Sequence, residues 1–364
     1  MSKNPRTFLN AYAIMSFEAR DIASKSFQVY TGRSIAIKMT KITINDVAKH
    51  AGVSVTTVSR VLNNRGYISG ATREKVQSSI NHLGFIPNEL ARSFFTNNSN
   101  LIGLIIPTTA NPFFGELTFY IEKYLSKSGY KLFICNSINE SDNEKEYIRM
   151  LQENRVDGII VGSHNLNIAE YDKLPLKTVS VERVLNESIP LVQCDNYQGG
   201  RIATQALIDA GCRRILCLSG DFKLNAPANS RYTAHADCMK EHGLATHIES
   251  IPFTLSNEEK INIISQILNS NPDIDGVFAG DDILASIVYN YALRHNIDIP
   301  SQLKIIGFDG TETMHTIFPA LTTIQQPIEL LAKNSVKVLL ALINNQPVPP
   351  ITTLPVTLYR GTTA

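Results

Sequence analysis

At 364 residues the chain exceeds one ordinary domain and fits two or three. Its 43% apolar and 18% charged residues exclude wholesale disorder and fibrous repeats, and no apolar run approaches the roughly 18 residues of a membrane-spanning helix, so no membrane partner is expected. The net charge of +1 is uneven: residues 1–38 carry +4, residues 39–98 another +4 and residues 99–364 carry −7, so a basic front that suits a polyanion precedes an acidic body.

Residues 1–38 show no clean periodicity and end just before a second methionine, Met39, where the pattern turns regular. They read as a disordered extension or a misassigned start rather than as a functional basic arm. Thr43 is a good helix N-cap, and Asp46 places negative charge where the helix dipole favours it. The first helix runs through Val47 and Ala48 and stops at Gly52. Ser54 caps a second helix, VTTVSRVLN, with Val58, Val61 and Leu62 facing inward. A third begins near Ser69 or Thr72, carries Val76, Ile80 and Leu83 at helical spacing, and ends at Gly84. Two short helices meeting through a tight Gly-containing turn, closed by a third, make a helix-turn-helix unit. The plainer alternative is a three-helix bundle with a polar face. Pro87 and Asn88 then start a segment too short to hold a helix alone in water before the Asn- and Ser-rich stretch at 96–100. It is a linker or a segment that folds on contact.

From Leu101 onward, runs rich in Ile, Val and Leu alternate with amphipathic helices. LIGLIIP, KLFICNS, DGIIVGS, KTVSVER, LVQCD, RILCLSG, HIESIPF, DGVFAGDD and LKIIGFDG read as strands. This alternation predicts parallel sheets covered on both faces, in two α/β subdomains because the units are too many for one modest sheet.

Catalytic signatures are missing: there is no GxxxxGK loop, HExxH, GxSxG elbow or GxGxxG after a strand. His164 and His315, at strand-to-loop positions, read as ordinary polar contacts. Asp281 and Asp282 are adjacent at a strand end and so point to opposite faces, a poor acid/base pair. The five cysteines lack a CxxC pair and fit reduced thiols in a cytoplasm better than disulfides or zinc ligands. No cofactor, metal or enzyme activity is expected. The second helix of the helix-turn-helix is more informative, because a recognition helix reads base edges with its first turns. Val55 suits a thymine methyl and Thr56 a base edge. Ser54, Thr57 and Ser59 suit phosphates or caps, and Arg60 suits guanine or backbone oxygens.

The run ITINDVAKHAGVSVTTVSRVLNNRGYISGATREKVQSSINHLGFIPNELARS resembles the DNA-binding headpiece of the lac repressor (LacI/GalR) family, and the likeness continues through NPFF, RVDGII, CDNYQGG, FAGDDILA, IIGFDG and PALTTIQQP. The resemblance implies an N-terminal all-α helix-turn-helix headpiece plus a two-lobed α/β core like the periplasmic binding proteins, with two doubly wound parallel sheets. It places the headpiece at 39–86 and a hinge helix and linker at 87–98. The N-lobe is then 99–198 with 325–346, and the C-lobe 199–324 with 347–364. It further implies a homodimer on double-stranded operator DNA, released by a small sugar or sugar phosphate bound between the lobes.

By position, Ser54, Val55, Thr56, Thr57, Ser59 and Arg60 resemble the operator-reading helix and Asn63 a phosphate contact. Asn88, Ala91 and Phe94 fall on the hinge helix, where the family usually has Leu in place of Phe94. The effector pocket of the family maps onto Phe113, Phe114, Arg231, Phe253 and Asp282, with Phe113 or Phe114 alternatively packing in the core. Asp309 reads as structural or lobe-crossing rather than as a ligand group. SHNL at Ser163 to Leu166 and FDGT at Phe308 to Thr311 look most like repressors of sucrose or fructoside operons. A ribose-type regulator comes next, then a purine-type one.

Overall fold

The computed structural model describes residues 42–85, 99–137, 140–166, 168–221 and 226–364. The extension at 1–38 and the hinge positions Asn88, Ala91 and Phe94 lie outside the described residues. The chain divides into two units, Met1–Asn88 and Glu89–Ala364.

The first unit holds α1 (Ile44–Ala51), α2 (Val55–Leu62) and α3 (Gly70–Leu83). The Asp46 carboxylate accepts hydrogen bonds from the Thr43 N–H at 2.8 Å and the Thr43 hydroxyl at 2.7 Å, which opens α1. Gly52 closes α1 in the left-handed region at φ 65°, where a Cβ would be strained. Two residues on, the Ser54 hydroxyl accepts the Thr57 N–H at 3.1 Å and starts α2. Val47, Ala48, Val58, Val61, Val76 and Ile80 form the buried core, with Leu62 and Leu83 half-buried at its edge.

In the second unit the N-lobe carries β1 (Leu101–Ile106), α4 (Pro112–Lys127), β2 (Lys131–Asn136), α5 (Ser141–Glu153), β3 (Gly158–Val161), β4 (Lys177–Val181) and β5 (Leu191–Cys194). The chain then builds α6 (Asn196–Asp209), β6 (Ile215–Ser219), α7 (Asn229–Glu241), β7 (His247–Ser250), α8 (Asn257–Ser270), β8 (Gly276–Ala279), α9 (Asp282–Arg294), β9 (Lys304–Asp309), α10 (Glu312–Ile317) and β10 (Thr322–Gln325) in the C-lobe. It ends with α11 (Ile328–Ile343), β11 (Ile351–Leu354) and β12 (Thr357–Tyr359).

One sheet has the order β11-β5-β4-β3-β1-β2, all parallel, and the other β12-β10-β9-β8-β6-β7, parallel except for β12. Successive strand side chains feed opposite faces. Ile102, Leu104 and Ile106 pack under α4 and α11, while Ile105 packs under α5. In the C-lobe Leu216 and Leu218 pack under α8 and α9, while Ile215 and Cys217 meet α6 and α7.

The expected lobe boundaries need three corrections, the smallest being Gln325, which ends β10 in the C-lobe sheet opposite Asp309 instead of opening the second N-lobe segment. Helix α6, from Asn196, packs on C-lobe strands, so the first crossing falls at Asp195 rather than after residue 198. Residues 347–354 belong to the N-lobe, because β11 runs parallel to β5 with Ile351 opposite Leu191. The reason is the open edge of β5: Leu191 donates its N–H to Pro350 and Asp195 to Leu354. The chain returns to the C-lobe only at Pro355, where β12 pairs with β10. Helix α7 also escaped the apolar pattern, because Arg231 and His235 occupy its buried face.

Candidate functional site

On the headpiece, Ser54, Val55, Thr56 and Arg60 are exposed along one side of α2, and Thr57 and Ser59 are half-buried. Val55 is 41% exposed, unusual for a valine in a helix whose other valines are buried. The Ser54 and Thr57 hydroxyls lie 2.9 Å apart. Asn63 is turned onto its own helix: its Nδ2 donates to the Ser59 carbonyl at 2.9 Å, so in this arrangement the amide caps α2. Sequence reasoning passed over Tyr67, which stands 95% exposed between α2 and α3. An aromatic in a polar, Gly-containing turn was its only signal. The exposed surface of α2 therefore offers a methyl group, hydroxyls and one guanidinium, the groups that read base edges and phosphates.

In the second unit a cavity of about 390 Å³ lies between the lobes, at the carboxyl ends of strands from both sheets. Open α/β sheets bind ligands at this place, where the strand order reverses. Phe113 and Phe114 enter from the start of α4, held by Asn111, whose Oδ1 accepts the Phe113 N–H at 2.9 Å and the Phe114 N–H at 3.3 Å. Phe253 enters from the C-lobe, with its ring centroid 6.1 Å from Phe114 and 4.9 Å from His164. These rings give the cavity an apolar wall contributed by both lobes. Burial, with Arg183 and Arg231 nearby, pushes His164 down to about 3, so its imidazole is neutral.

Arg231, on α7, is 6% exposed. Its Nε donates to Asn196 Oδ1 at 2.6 Å and its Nη1 to the Gly280 carbonyl at 2.8 Å, while the guanidinium lies 3.4 Å from the centroid of the Phe308 ring. Asn196 in turn donates to Glu182 Oε2 at 2.9 Å, joining the N-lobe wall to the C-lobe arginine. Gly200 lets α6 approach α7 here, since a Cβ would stand 2.2 Å from the Arg231 carbonyl oxygen.

Phe113, Phe114, Arg231 and Phe253 thus line one cavity, and Asp282 does not. The Asp282 carboxylate turns into the C-lobe, where it accepts the Thr323 hydroxyl and the Gly310 N–H. The neighbouring Asp281 lines the cavity instead and caps α9, accepting the Leu284 N–H at 2.7 Å. The N-cap and the first helical residue point apart, which separates the two. Asp309, read from the sequence as structural, also lines the cavity. Its φ of 121° is a strained backbone conformation, and its Oδ1 accepts Gln326 Nε2 at 2.7 Å. Burial raises Glu182, Asp281 and Asp309, and Arg231 opposes it in each case. Glu182, Gln326 and Lys260 on the wall were missed too, because each is polar and isolated in sequence. Of the two flagged histidines His164 is on the cavity wall, whereas His315 stacks on Tyr359 with centroids 4.0 Å apart. Among the described residues no group of three or more His, Cys, Asp or Glu could hold a metal, and no helix is long and apolar enough to cross a membrane.

Residues 43–88 match the family model for bacterial regulatory proteins of the lacI family, and residues 99–360 that for periplasmic binding proteins and the sugar binding domain of the LacI family. The chain belongs to the LacI family. Among LacI-family proteins it is similar to the sucrose operon repressor of Pediococcus pentosaceus, 41% identical over 323 residues that span 88% of this chain and 99% of that one. It is 38% identical to the ribose operon repressor of Halalkalibacterium halodurans over 84% of this chain and 91% of that one. A solved periplasmic binding protein/LacI transcriptional regulator from Alkaliphilus metalliredigens, complexed with D-xylulofuranose, is 34% identical with a TM-score of 0.65 and covers 73% of this chain and 99% of that one.

Proposed function

We propose that this sugar-responsive operon repressor takes a sucrose- or fructoside-type sugar between its lobes and then releases its operator. The observation that carries the reading is the cavity wall itself. Phe113, Phe114 and Phe253 offer ring faces to the apolar C–H side of a sugar, and Arg231, Asp281 and Asp309 offer directional bonds to its hydroxyls. The relatives that are named sucrose operon repressors support it, as does the neighbour solved with a ketofuranose, the ring form of a fructosyl group.

The same arrangement supports a mechanism. The protein works as a cytoplasmic homodimer on a pseudo-palindromic operator, read by Val55, Thr56 and Arg60 with Ser54, Thr57, Ser59 and Asn63 toward phosphates. Asn88, Ala91 and Phe94 belong to a hinge segment in the minor groove. A sugar that binds the closed lobes better than the open ones shifts the population away from the DNA-bound form. Each tenfold difference in that affinity is worth about 1.4 kcal/mol. A ribose-type effector is the second reading, supported by the ribose operon repressor relative.

Calorimetric titration with sucrose, fructose and ribose, paired with a labelled-operator release assay, tests the proposal. Sucrose or fructose should bind and lower operator affinity. Tight binding of ribose alone would transfer the assignment, and sugar binding without operator release would refute the mechanism.

A further inference from the structure

Glu144, on the first turn of α5, is wholly buried, and glutamates are seldom so unless paired. Its carboxylate accepts three side-chain donors. The Ser163 and Tyr171 hydroxyls each reach Oε1 at 2.6 Å, and the Asn165 Nδ2 reaches Oε2 at 2.8 Å. Arg183, buried as well, holds the same loop from another side, its Nη2 donating to the Asn165 carbonyl at 2.6 Å. Burial lowers the Arg183 pKa and the charge of Glu144 raises it, so the two ions support one another inside the lobe.

Glu144, Ser163, Tyr171 and Arg183 do not line the cavity, but the residues they hold do. Ser163 and Asn165 flank His164, whose ring centroid lies 5.4 Å from Phe114 of the N-lobe and 4.9 Å from Phe253 of the C-lobe. The imidazole is therefore a point at which the two lobes touch across the cavity. The Asn165 Nδ2 also donates to the Ser137 carbonyl at 2.6 Å. Both protons of that amide are engaged inside the lobe, and its oxygen is the polar atom left to a ligand.

Apolar packing could fasten this loop without the cost of a buried charge. Directional bonds fix its angle as well as its place, which a binding wall requires. A loop left loose must be ordered when the ligand arrives, and that ordering is subtracted from affinity.

We infer that Glu144 is a positioning residue for the sugar response: through Ser163 and Asn165 it sets His164 against Phe253 and fixes the Asn165 amide on the cavity wall. This rests on reading the cavity as the effector site.

Two variants of the full chain separate positioning from mere support. In Glu144→Gln the amide oxygen still accepts the Ser163 and Tyr171 hydroxyls, while the new NH2 group opposes the Asn165 donor. Tyr171→Phe removes a bond from the same carboxylate and leaves Asn165 in place. Calorimetry with sucrose, fructose and ribose should show, for whichever binds the unaltered protein, at least a fivefold loss in Glu144→Gln and less than a twofold loss in Tyr171→Phe. Operator affinity without sugar should stay within twofold in both. In Glu144→Gln the amides of 163–166 should exchange hydrogen at least fivefold faster, with β1 unchanged. A smaller loss of sugar affinity in Glu144→Gln overturns the inference, and so does a loss in Tyr171→Phe that equals it, because affinity would then follow stability alone. Unchanged exchange at 163–166 overturns the inference and leaves the effector site standing. An unaltered protein that binds none of the three sugars overturns both.

Discussion

Glu116 on α4 accepts the backbone N–H of Glu312 on α10 at 2.9 Å, so a carboxylate of the N-lobe bonds the first turn of a C-lobe helix across the cleft. Burial raises the Glu116 pKa, and the bond from Glu312 pulls it back. Neither residue lines the cavity. Glu116→Ala should therefore weaken sugar binding about fivefold, the equivalent of one hydrogen bond worth about 1 kcal/mol, without touching the ligand. Operator affinity of the sugar-free protein should not change. Unaltered sugar affinity in calorimetry would show that this bond does not hold the lobes together.

Arg60 is exposed on α2, apart from the buried core of the headpiece. Arg60→Ala should weaken operator binding by roughly 1–3 kcal/mol, the scale of a lost base contact, with sugar affinity intact. Equal losses in the operator and sugar titrations would count against its role.

Arg231→Ala and Asp282→Ala should part company. The first removes a cavity group and should abolish the sugar response while operator binding persists. The second leaves the Thr323 hydroxyl and the Gly310 N–H without their acceptor inside the C-lobe. Its main effect should be lost stability, about 1–3 kcal/mol for each unpaired donor, seen in denaturant unfolding. A fully stable, uninducible Asp282 variant would return that residue to the site.

His235 is wholly buried on α7, with Nδ1 3.0 Å from the Thr204 hydroxyl, and burial pushes its pKa down to about 4. In the unfolded chain it titrates near ~6.5. Between those values the unfolded state binds the extra proton, so the stability the neutral ring permits is full above about pH 6.5 and is lost as pH falls toward 4. Carboxyls with raised pKa values, such as Asp281 and Asp309, act with the opposite sign and mask this in the whole-protein curve. Comparison with His235→Gln removes the masking. From pH 7.5 to 5 the difference in unfolding free energy should move by about 2 kcal/mol in favour of the variant. A difference that does not move would contradict a buried neutral imidazole.

Much of the architecture was legible in the sequence because it depends on neighbouring residues. Thr43, Gly52, Ser54 and Gly84 mark helix ends through bonds that span three or four positions, and Ile102 to Ile106 announce a buried strand by composition alone. Helix α7 was not legible, since a helix that buries Arg231 and His235 carries no apolar stripe. The aromatic and arginine members of the cavity were found by resemblance, while Asp281, Asp309, Glu182, Lys260 and Gln326 look like ordinary polar residues until strand ends from both lobes bring them together.

The linear chain was enough to specify a helix-turn-helix followed by two parallel sheets, because caps, turns and side-chain periods are local properties. Which of two adjacent aspartates meets a ligand was left to folding: the start of α9 turns Asp281 outward and seats Asp282 on Thr323 and Gly310. Folding also assigned β11 to the N-lobe, because the free edge of β5 takes up its backbone groups. Both outcomes depend on partners 28 to 160 residues away along the chain, and no short window of sequence contains them.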